Sequence, residues 1–302
     1  MSRVTKLTIA VIGPGAVGGT IAAWVSKSPL VGDLTLCART PLERLVIETP
    51  DGSVIETEPR VVTDPARITA PVDWVFAAVK AYDVAAAARW LGPLVGPDSR
   101  VAVLQNGVEH VERFSPFVAA DRIVPVIVDI PAERTAPGRI HHRRDGTLTV
   151  PAGANGDAFC ALFAESVIAA STTNDFLTAA WTKLALNCAG AVNALTGRPG
   201  GVVRAEGVAN LMRAMVRECV LVGRAVGADL SDDLPDWVVE RAMASPQDSV
   251  NSLLGDRLAG RPMEWDARNG VIVRLGARYG IEAPTNAMAA TILSAMRWAP
   301  EL

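Results

Sequence analysis

Short apolar runs alternate with helix-compatible segments through the first half of the chain. A run that begins at Leu7 is followed by glycines and then by a segment, residues 16–27, whose pattern predicts a helix. A second helix is predicted over the alanine-rich residues 82–91. Further apolar runs are typical of buried strands and lie at residues 33–37, 60–62, 72–79, 100–104 and 123–130. This alternation predicts an α/β domain built on a parallel sheet.

Two stretches alternate between apolar and polar residues, as β-hairpins do. Residues 46–56 alternate around Asp51-Gly52, and residues 140–150 alternate around Asp145-Gly146. The second stretch overlaps the basic residues 139–144, which predict the solvated face of that hairpin.

From Asp157 onward the strand-like runs end, and the pattern predicts helices alone. Their expected ranges are residues 158–170, 175–195, 205–226, 236–244, 263–279 and 286–298. The chain is therefore expected to form an α/β N-terminal domain, residues 1–170, and an all-α C-terminal domain, residues 171–302. Its length of 302 residues is ample for two cores.

Glycines at GxGxxG spacing join the first predicted strand to the first helix. A turn of this kind places backbone N–H groups at a helix N-terminus, where a pyrophosphate can bind, so the fold prediction is a Rossmann-type dinucleotide-binding domain. The rival interpretation is a membrane segment, because residues 7–25 carry no charge; five glycines and prolines in that stretch argue against it. The predicted cofactor-binding residues of this turn are Gly13, Pro14, Gly15, Ala16, Val17 and Gly18.

Three polar residues follow predicted strands, at the sheet edge where α/β proteins bind ligands. Arg39 follows the second strand, where an arginine suits the 2′-phosphate of NADP; an ordinary solvated arginine is the alternative. Lys80 follows the strand at residues 72–79 and is expected to contact cofactor or substrate. Asn106 follows the strand at residues 100–104 and predicts a ligand contact, although Asn-Gly is also a common turn dipeptide.

Composition and charge exclude several classes of function. A net charge of −3 gives no reason to expect binding to nucleic acid or to an anionic membrane. Four widely spaced cysteines and three histidines do not form the pattern of a metal site. We expect a cytoplasmic protein that binds a small molecule, without metal.

Lysine is rare in this chain, since only four of its 29 basic residues are lysines. Lys183 shares a helix face with Asn187 in an otherwise apolar stretch, which predicts a site because lysine, unlike arginine, can give up a proton. Glu264 begins a second polar cluster, residues 263–270, where complementing the helix dipole is the alternative role. Ser252, preceded by Asn251, is a further candidate.

The ordered set of motifs resembles ketopantoate reductase and its relatives. The set spans almost the whole chain and consists of GPGAVG at 13–18, the arginine at 39, VKAYD at 79–83, LQNG at 104–107, WTKLALN at 181–187, SLLGDRLAGRPMEWDARNG at 252–270 and APTN at 283–286.

This resemblance implies that NADPH reduces the ketone of ketopantoate to pantoate, a step of pantothenate and coenzyme A synthesis. It implies an active site in the cleft between a Rossmann domain and a helical domain, in a monomer or homodimer. Lys183 would be the proton donor, with Glu264 near it and near the cofactor. Asn106, Asn187 and Ser252 would contact the substrate, and Asn106 also the cofactor. Lys80 and the backbone of Ala132 would lie near the cofactor.

Two positions depart from the family pattern. The family's second asparagine on the catalytic helix is Ala191 here, and its Pro-Asn-Gly is Pro199-Gly200-Gly201. Asn193 could substitute for the lost amide only if the helix is irregular there. Two alternatives therefore stay open: a related NADPH reductase of a different 2-oxo compound, and a non-catalytic NADP(H)-binding regulatory protein.

Overall fold

The computed structural model describes residues 6–296, and these residues form two compact units. The first unit contains the described residues up to Gln105 together with Glu109–Phe176. The second contains Asn106–Val108 and the described residues from Leu177 onward. The ends of both predicted domains, residues 1–5 and 297–302, lie outside the described residues.

The strands of the first unit form three sheets. They are β1 (Leu7–Ile12), β2 (Val31–Cys37), β3 (Leu45–Glu48), β4 (Val54–Thr57), β5 (Arg60–Val62), β6 (Trp74–Ala77), β7 (Arg100–Val103), β8 (Ile123–Pro125), β9 (Ile127–Asp129), β10 (Ala132–Ala136), β11 (Arg139–His142), β12 (Gly146–Pro151) and β13 (Ile168–Thr173). The main sheet is parallel, in the order β5-β2-β1-β6-β7-β8. Two smaller sheets have the orders β10-β11-β3-β4 and β13-β12-β9.

Both faces of the main sheet are covered. Ile9 and Val11 of β1 belong to one buried cluster, whereas Ala10 and Ile12 belong to another, because successive side chains of a strand point to opposite faces. The helices of this unit are α1 (Ala16–Val25), α2 (Val84–Leu94), α3 (His110–Phe114) and α4 (Ala154–Ala161). The N-terminal fold prediction, a Rossmann-like α/β sheet, is confirmed.

Several local predictions for this unit need correction. The hairpin at residues 46–56 is confirmed as β3 and β4, but the one predicted across Asp145-Gly146 is wrong, because β11 and β12 lie in different sheets. Instead β11 pairs with β10 across Gly138, whose φ of 69° permits the reversal. The single strand predicted at residues 123–130 is split between two sheets as β8 and β9.

Strand structure also continues beyond Asp157, contrary to the prediction. Residues predicted as the end of a helix, 168–170, form the start of β13, which pairs with β12 over six residues. The solvated basic face predicted around residues 139–144 is wrong at His142, which is fully buried and accepts a hydrogen bond from the Trp24 indole. A propensity pattern cannot foresee such long-range partners.

The described part of the second unit is helical. Its helices are α5 (Phe176–Ala189), α6 (Ala191–Thr196), α7 (Val208–Ala225), α8 (Leu234–Ala244), α9 (Ser252–Leu258), α10 (Val271–Arg278) and α11 (Pro284–Ala295). Trp181, Met215, Val216 and Val271 lie in its buried core. The all-α prediction for this half is confirmed apart from β13.

Several helix boundaries differ from the predicted ones; for example, the helix predicted at residues 158–170 is Ala154–Ala161, and the helix Ser252–Leu258 was not predicted. The helix predicted at residues 175–195 breaks at Gly190, where a Cβ would lie 2.9 Å from the Asn251 side chain. The helix predicted from Met263 begins instead with a π turn, Asp266–Gly270. The last helix, predicted at residues 286–298, is α11, which begins at Pro284 and ends at Ala295; residues 297 and 298 lie outside the described residues.

Candidate active site

The glycine-rich turn between β1 and α1 is shaped by close backbone packing. Gly13 has a φ of +85°, and a Cβ there would lie 2.8 Å from a methyl group of Val79. A Cβ on Gly18 would overlap the Gly13 carbonyl oxygen. By contrast, among residues 6–296 no atom outside the turn itself lies within 4 Å of the position a Gly15 Cβ would occupy. Gly15 therefore leaves open space at the N-terminus of α1, and no acidic residue occupies the first turn of that helix.

This turn fits a pyrophosphate. Backbone N–H groups of the first helical turn lack partners within the helix, and the positive end of the helix dipole favours an anion. Pro14, Ala16 and Val17 are half-buried and complete the turn. The open space at Gly15 is the observation that makes the residues present compatible with a dinucleotide.

Arg39 and Lys80 follow the two strands that flank β1 in the main sheet. Arg39 follows β2, has an 83% exposed side chain, and donates a hydrogen bond to Asp83 over 3.2 Å. Lys80 lies three residues beyond β6 and precedes a short 3₁₀ turn, Ala81–Asp83. Asp83 thus ties Arg39 to the segment that follows Lys80. Ala132 begins β10, which packs against α1.

Residues predicted at the site are joined by side-chain hydrogen bonds in the second unit. Asn187 donates to the Asn106 side-chain oxygen over 3.3 Å, and Asn106 donates to Glu264 over 3.2 Å. Lys183 lies one helical turn before Asn187 on α5, so the two share a face. These contacts bring together residues separated by 81 and 158 positions in the sequence.

Glycine permits the approach of Asn106 to Glu264. Gly107 has a φ of +100°, and a Cβ there would lie 2.8 Å from the carbonyl oxygen of Ala267. Residues 106–108 consequently pack directly against the π turn that follows Glu264, which is only 4% exposed. Asn106-Gly107 thus serves a close approach between segments, as well as providing a polar side chain.

Gln105, immediately before this segment, is held from two sides within the first unit. Its side chain donates to the Val79 carbonyl over 2.8 Å, and its own carbonyl contacts Nε2 of His110 over 3.0 Å. Burial lowers the pKa of His110 to about 4, so this histidine is neutral at physiological pH and donates to the Gln105 carbonyl. Neither the Gln105 contacts nor the burial of His110 was predicted from the sequence. A single histidine in a short helix has no local pattern that would indicate burial.

Ser252 has a partner that the sequence did not reveal. Arg268 lies in the π turn, is 3% exposed, and donates to the Ser252 hydroxyl over 2.8 Å. Burial lowers the pKa of the Arg268 guanidinium, while the carboxylates of Glu264 and Asp256 raise it. Little in the sequence indicates that Arg268 is buried against Ser252, because Arg268 lies in a cluster that already contains charged residues.

The two positions that depart from the family pattern have little room for larger side chains. Ala191 is fully buried, and a Cβ on Gly200 would overlap the Ser249 hydroxyl and lie 2.8 Å from the Pro246 carbonyl. The helix is irregular at Gly190, as substitution by Asn193 requires. The Asn193 side-chain oxygen accepts a hydrogen bond from Asn251 over 3.0 Å.

A cavity of about 180 Å³ lies beside these positions within the second unit. Asn193, Gly200 and Asn251 contribute to its wall, together with the apolar side chains of Val202, Met212 and Val238. A wall that combines amides with aliphatic groups is compatible with a small branched polar ligand.

Between residue 6 and residue 296, no helix combines the length and the apolar character that crossing a membrane requires. Within the same range, no cluster of three or more histidine, cysteine, aspartate or glutamate residues could hold a metal ion.

Comparison with known proteins gives concordant results over nearly the whole chain. Residues 9–155 match the model of the family described as ketopantoate reductase PanE/ApbA, and residues 175–297 match its C-terminal model. The 2-dehydropantoate 2-reductase of Caulobacter vibrioides is 58% identical over 288 residues, covering 95% of this chain and 98% of the relative. That of Mycobacterium tuberculosis is 40% identical over 290 residues, covering 95% and 97%.

A solved structure agrees with these sequence relatives. The crystal structure of a PanE/ApbA family ketopantoate reductase from Ralstonia eutropha superimposes with a TM-score of 0.86 at 29% identity. The match covers 96% of this chain and 98% of the other.

Proposed function

The chain belongs to the ketopantoate reductase family, and from this premise we propose that it reduces 2-dehydropantoate (ketopantoate) to pantoate with NADPH. It would serve pantothenate and coenzyme A synthesis. The observation that carries the proposal is the hydrogen-bonded series Asn187–Asn106–Glu264 beside Lys183, because it combines a proton donor, amides and a carboxylate in one unit.

The residues present fit NADPH as the cofactor. Open space at Gly15 would accept the pyrophosphate, flanked by Gly13, Pro14, Ala16, Val17 and Gly18. Arg39 is exposed and would bind the 2′-phosphate. Lys80, Ala132, Asn106 and Glu264 are proposed as the remaining cofactor contacts. When bound, NADPH would supply the hydride for the carbonyl carbon.

Lys183 would stabilise and then protonate the carbonyl oxygen of the substrate. Negative charge grows on that oxygen during reduction, and an ammonium at hydrogen-bond distance both opposes the charge and can donate the proton. An arginine could provide the charge but not the proton. Asn187 and Asn106 would orient the substrate through their amides, and Ser252 through its hydroxyl. Glu264 would hold Asn106 and help to position the Lys183 ammonium.

A related reductase with a different 2-oxo acid substrate is the second candidate. The observations that favour it are the crowding at Gly200, where even a Cβ would overlap the Ser249 hydroxyl, and the complete burial of Ala191. Asn193 and Asn251 line the neighbouring cavity, and their amides are hydrogen-bonded to each other and to the backbone carbonyls of Arg198 and Gly190. A non-catalytic NADP(H)-binding regulator would retain the glycine turn but would not need Lys183.

We extend the proposal to organisation and location. Residues 1–170 would form the NADP-binding domain and residues 171–302 the substrate and catalytic domain. The protein is proposed to act in the cytoplasm, as a monomer or homodimer.

Product analysis tests the proposed function. Purified protein is incubated with ketopantoate and limiting NADPH, and the products are followed by NMR, with NADH as the control donor. We expect one pantoate for each NADPH oxidised and much slower reaction with NADH. Binding of NADPH without any alcohol product would contradict catalysis, and a faster reaction with NADH would contradict the cofactor assignment.

A further inference from the structure

A buried arginine lies directly behind the exposed residue Ser252. Arg268 is only 3% exposed, and it donates to the Ser252 oxygen over 2.8 Å. Its Nε–H is also buried, and no atom among residues 6–296 accepts a hydrogen bond from it. Burying a guanidinium with an unsatisfied donor is unfavourable for folding, so its placement calls for a functional reason.

The direction of this hydrogen bond determines what Ser252 can offer to a ligand. A guanidinium carries only donors, so the Ser252 oxygen must be the acceptor. The hydroxyl hydrogen then remains for a second partner, and the side chain is on an exposed residue. Ser252 is thereby set as a donor, which suits an anionic oxygen better than a ligand N–H.

The positive charge of Arg268 is opposed by carboxylates of its own unit. Its nearest opposing charges are the carboxylates of Glu264 and Asp256, and both of these residues are buried. Asp256 is shared with Arg261, which donates to it over 2.9 Å, and Glu264 accepts from Asn106. The charge of Arg268 is therefore compensated within the second unit, and what Arg268 contributes to a ligand is the orientation of the Ser252 hydroxyl.

Resting on the proposed reduction of a 2-oxo acid, we propose that Arg268 is a positioning residue for the substrate carboxylate. Arg268 holds the Ser252 hydroxyl in the donor orientation and makes it a stronger donor, because hydrogen bonds in a chain polarise one another. Ser252 makes the contact with the carboxylate, and Arg268 acts through Ser252. Its role is in binding the acid, so its loss should affect KM far more than kcat.

Two variants and two ligands test this role. The variants are Ser252→Ala, at an exposed position, and Arg268→Met; the ligands are ketopantoate and ketopantoyl lactone, which keeps the ketone but has no carboxylate. We expect KM for ketopantoate to rise about tenfold in either variant, with kcat changed less than about threefold. The affinity for the lactone, as substrate or competitive inhibitor, should change less than about twofold. The double variant should be no worse than the single variants.

Two further variants separate this role from a structural one. Arg268→Lys should recover part of the affinity for ketopantoate, because it restores a donor and a charge. Arg261→Met removes the other guanidinium beside Asp256 without touching Ser252, and its KM should match the unmodified protein. Additive losses in the double variant, or equal losses with acid and lactone, would overturn the proposal. If Arg268→Met does not fold, the acid-to-lactone comparison in Ser252→Ala decides it.

Binding measurements keep this inference distinct from the proposed function. Pantoate binding to protein saturated with NADP⁺ is measured by calorimetry in the unmodified protein and both variants. Pantoate binding that weakens in both variants, with no turnover of ketopantoate, would contradict the proposed function alone. Turnover with unaltered pantoate affinity in both variants would contradict the role of Arg268 alone.

Discussion

The two units build their candidate sites in different ways. In the first unit the candidate dinucleotide site would be made mostly of backbone, since Gly13 and Gly18 are crowded and Gly15 faces open space. In the second unit the candidate site would be made of side chains, with Glu264 and Arg268 buried and hydrogen-bonded to residues 158 and 16 positions away. We therefore expect cofactor binding or stability to be lost when a methyl group is added to the glycine turn, and catalysis to be lost when polar side chains of the second unit are truncated.

Lys183→Ala removes the proposed proton donor, and we expect it to give the clearest separation of the two sites. Turnover should fall about a hundredfold or more, because general acid catalysis contributes factors of this size. NADPH affinity should stay nearly the same, since the glycine turn is untouched. Steady-state kinetics and NADPH fluorescence titration measure the two effects. Lys27→Ala, at an exposed position in the other unit, is the matched control and should leave turnover unchanged. Unchanged turnover in Lys183→Ala would remove Lys183 from the mechanism.

Two alanine substitutions in the glycine turn should differ sharply from each other. Gly13→Ala combines a left-handed φ with a contact against Val79, so the free energy of unfolding should fall by about 2–4 kcal/mol. Gly15→Ala meets no neighbouring atom and should change stability by less than about 0.5 kcal/mol. It should nevertheless weaken NADPH about tenfold or more, because the methyl group would occupy the proposed phosphate space.

Denaturant unfolding and NADPH titration of both glycine variants provide this comparison. A Gly15→Ala protein with normal NADPH affinity would show that the open space is not where the cofactor binds. Equal stability of the two variants would show that the backbone at Gly13 relaxes more easily than its φ indicates.

Arg39→Ala tests the single side chain on which cofactor choice is proposed to depend. NADPH affinity should fall about tenfold while NADH affinity changes less than about twofold, because only NADPH carries the 2′-phosphate. The exposed ion pair with Asp83 contributes less than about 1 kcal/mol, so stability should hardly change. Arg44→Ala removes a comparable exposed pair, with Glu56, and serves as the control. Equal weakening of both cofactors would place the 2′-phosphate elsewhere.

The amides of the second unit should act together. Asn106→Ala and Asn187→Ala should each lower kcat/KM for the substrate, and their double-mutant cycle should give a coupling of about 1 kcal/mol because the two side chains are hydrogen-bonded. Asn210→Ala changes an exposed amide on α7 and should have no effect. Strictly additive losses would mean that the two amides act independently.

Sequence reasoning was most successful where function depends on adjacent residues. The glycine turn, the hairpin at residues 46–56 and most helices of the second half have local patterns, and the structure agrees with them. The approach of Asn106 to Glu264 was available only through the family resemblance, because no spacing rule connects positions so distant in the chain. The roles of Lys183, Glu264, Asn187 and Ser252 stay predictions.

The incorrect secondary-structure predictions share a physical cause. Where the local propensity is weak, contacts with residues distant in the sequence decide which structure forms. Residues 168–170 were predicted as the end of a helix, yet they form the start of β13, to which β12 provides a parallel partner. Gly190 interrupts a continuous helical pattern because the Asn251 side chain lies against it. Arg268 was missed because an arginine within a charged cluster gives no sign of its burial.

The central claim, that this protein is a reductase of ketopantoate, is tested most directly by comparing kcat/KM across a panel of 2-oxo acids with saturating NADPH. The panel contains ketopantoate, pyruvate, 2-oxoisovalerate and benzoylformate, so it varies branching, the hydroxyl and an aromatic ring. We predict that ketopantoate has a kcat/KM at least about tenfold above the others, a difference of about 1.4 kcal/mol in transition-state binding. A higher value for another acid, or no turnover of any of them, would contradict the claim.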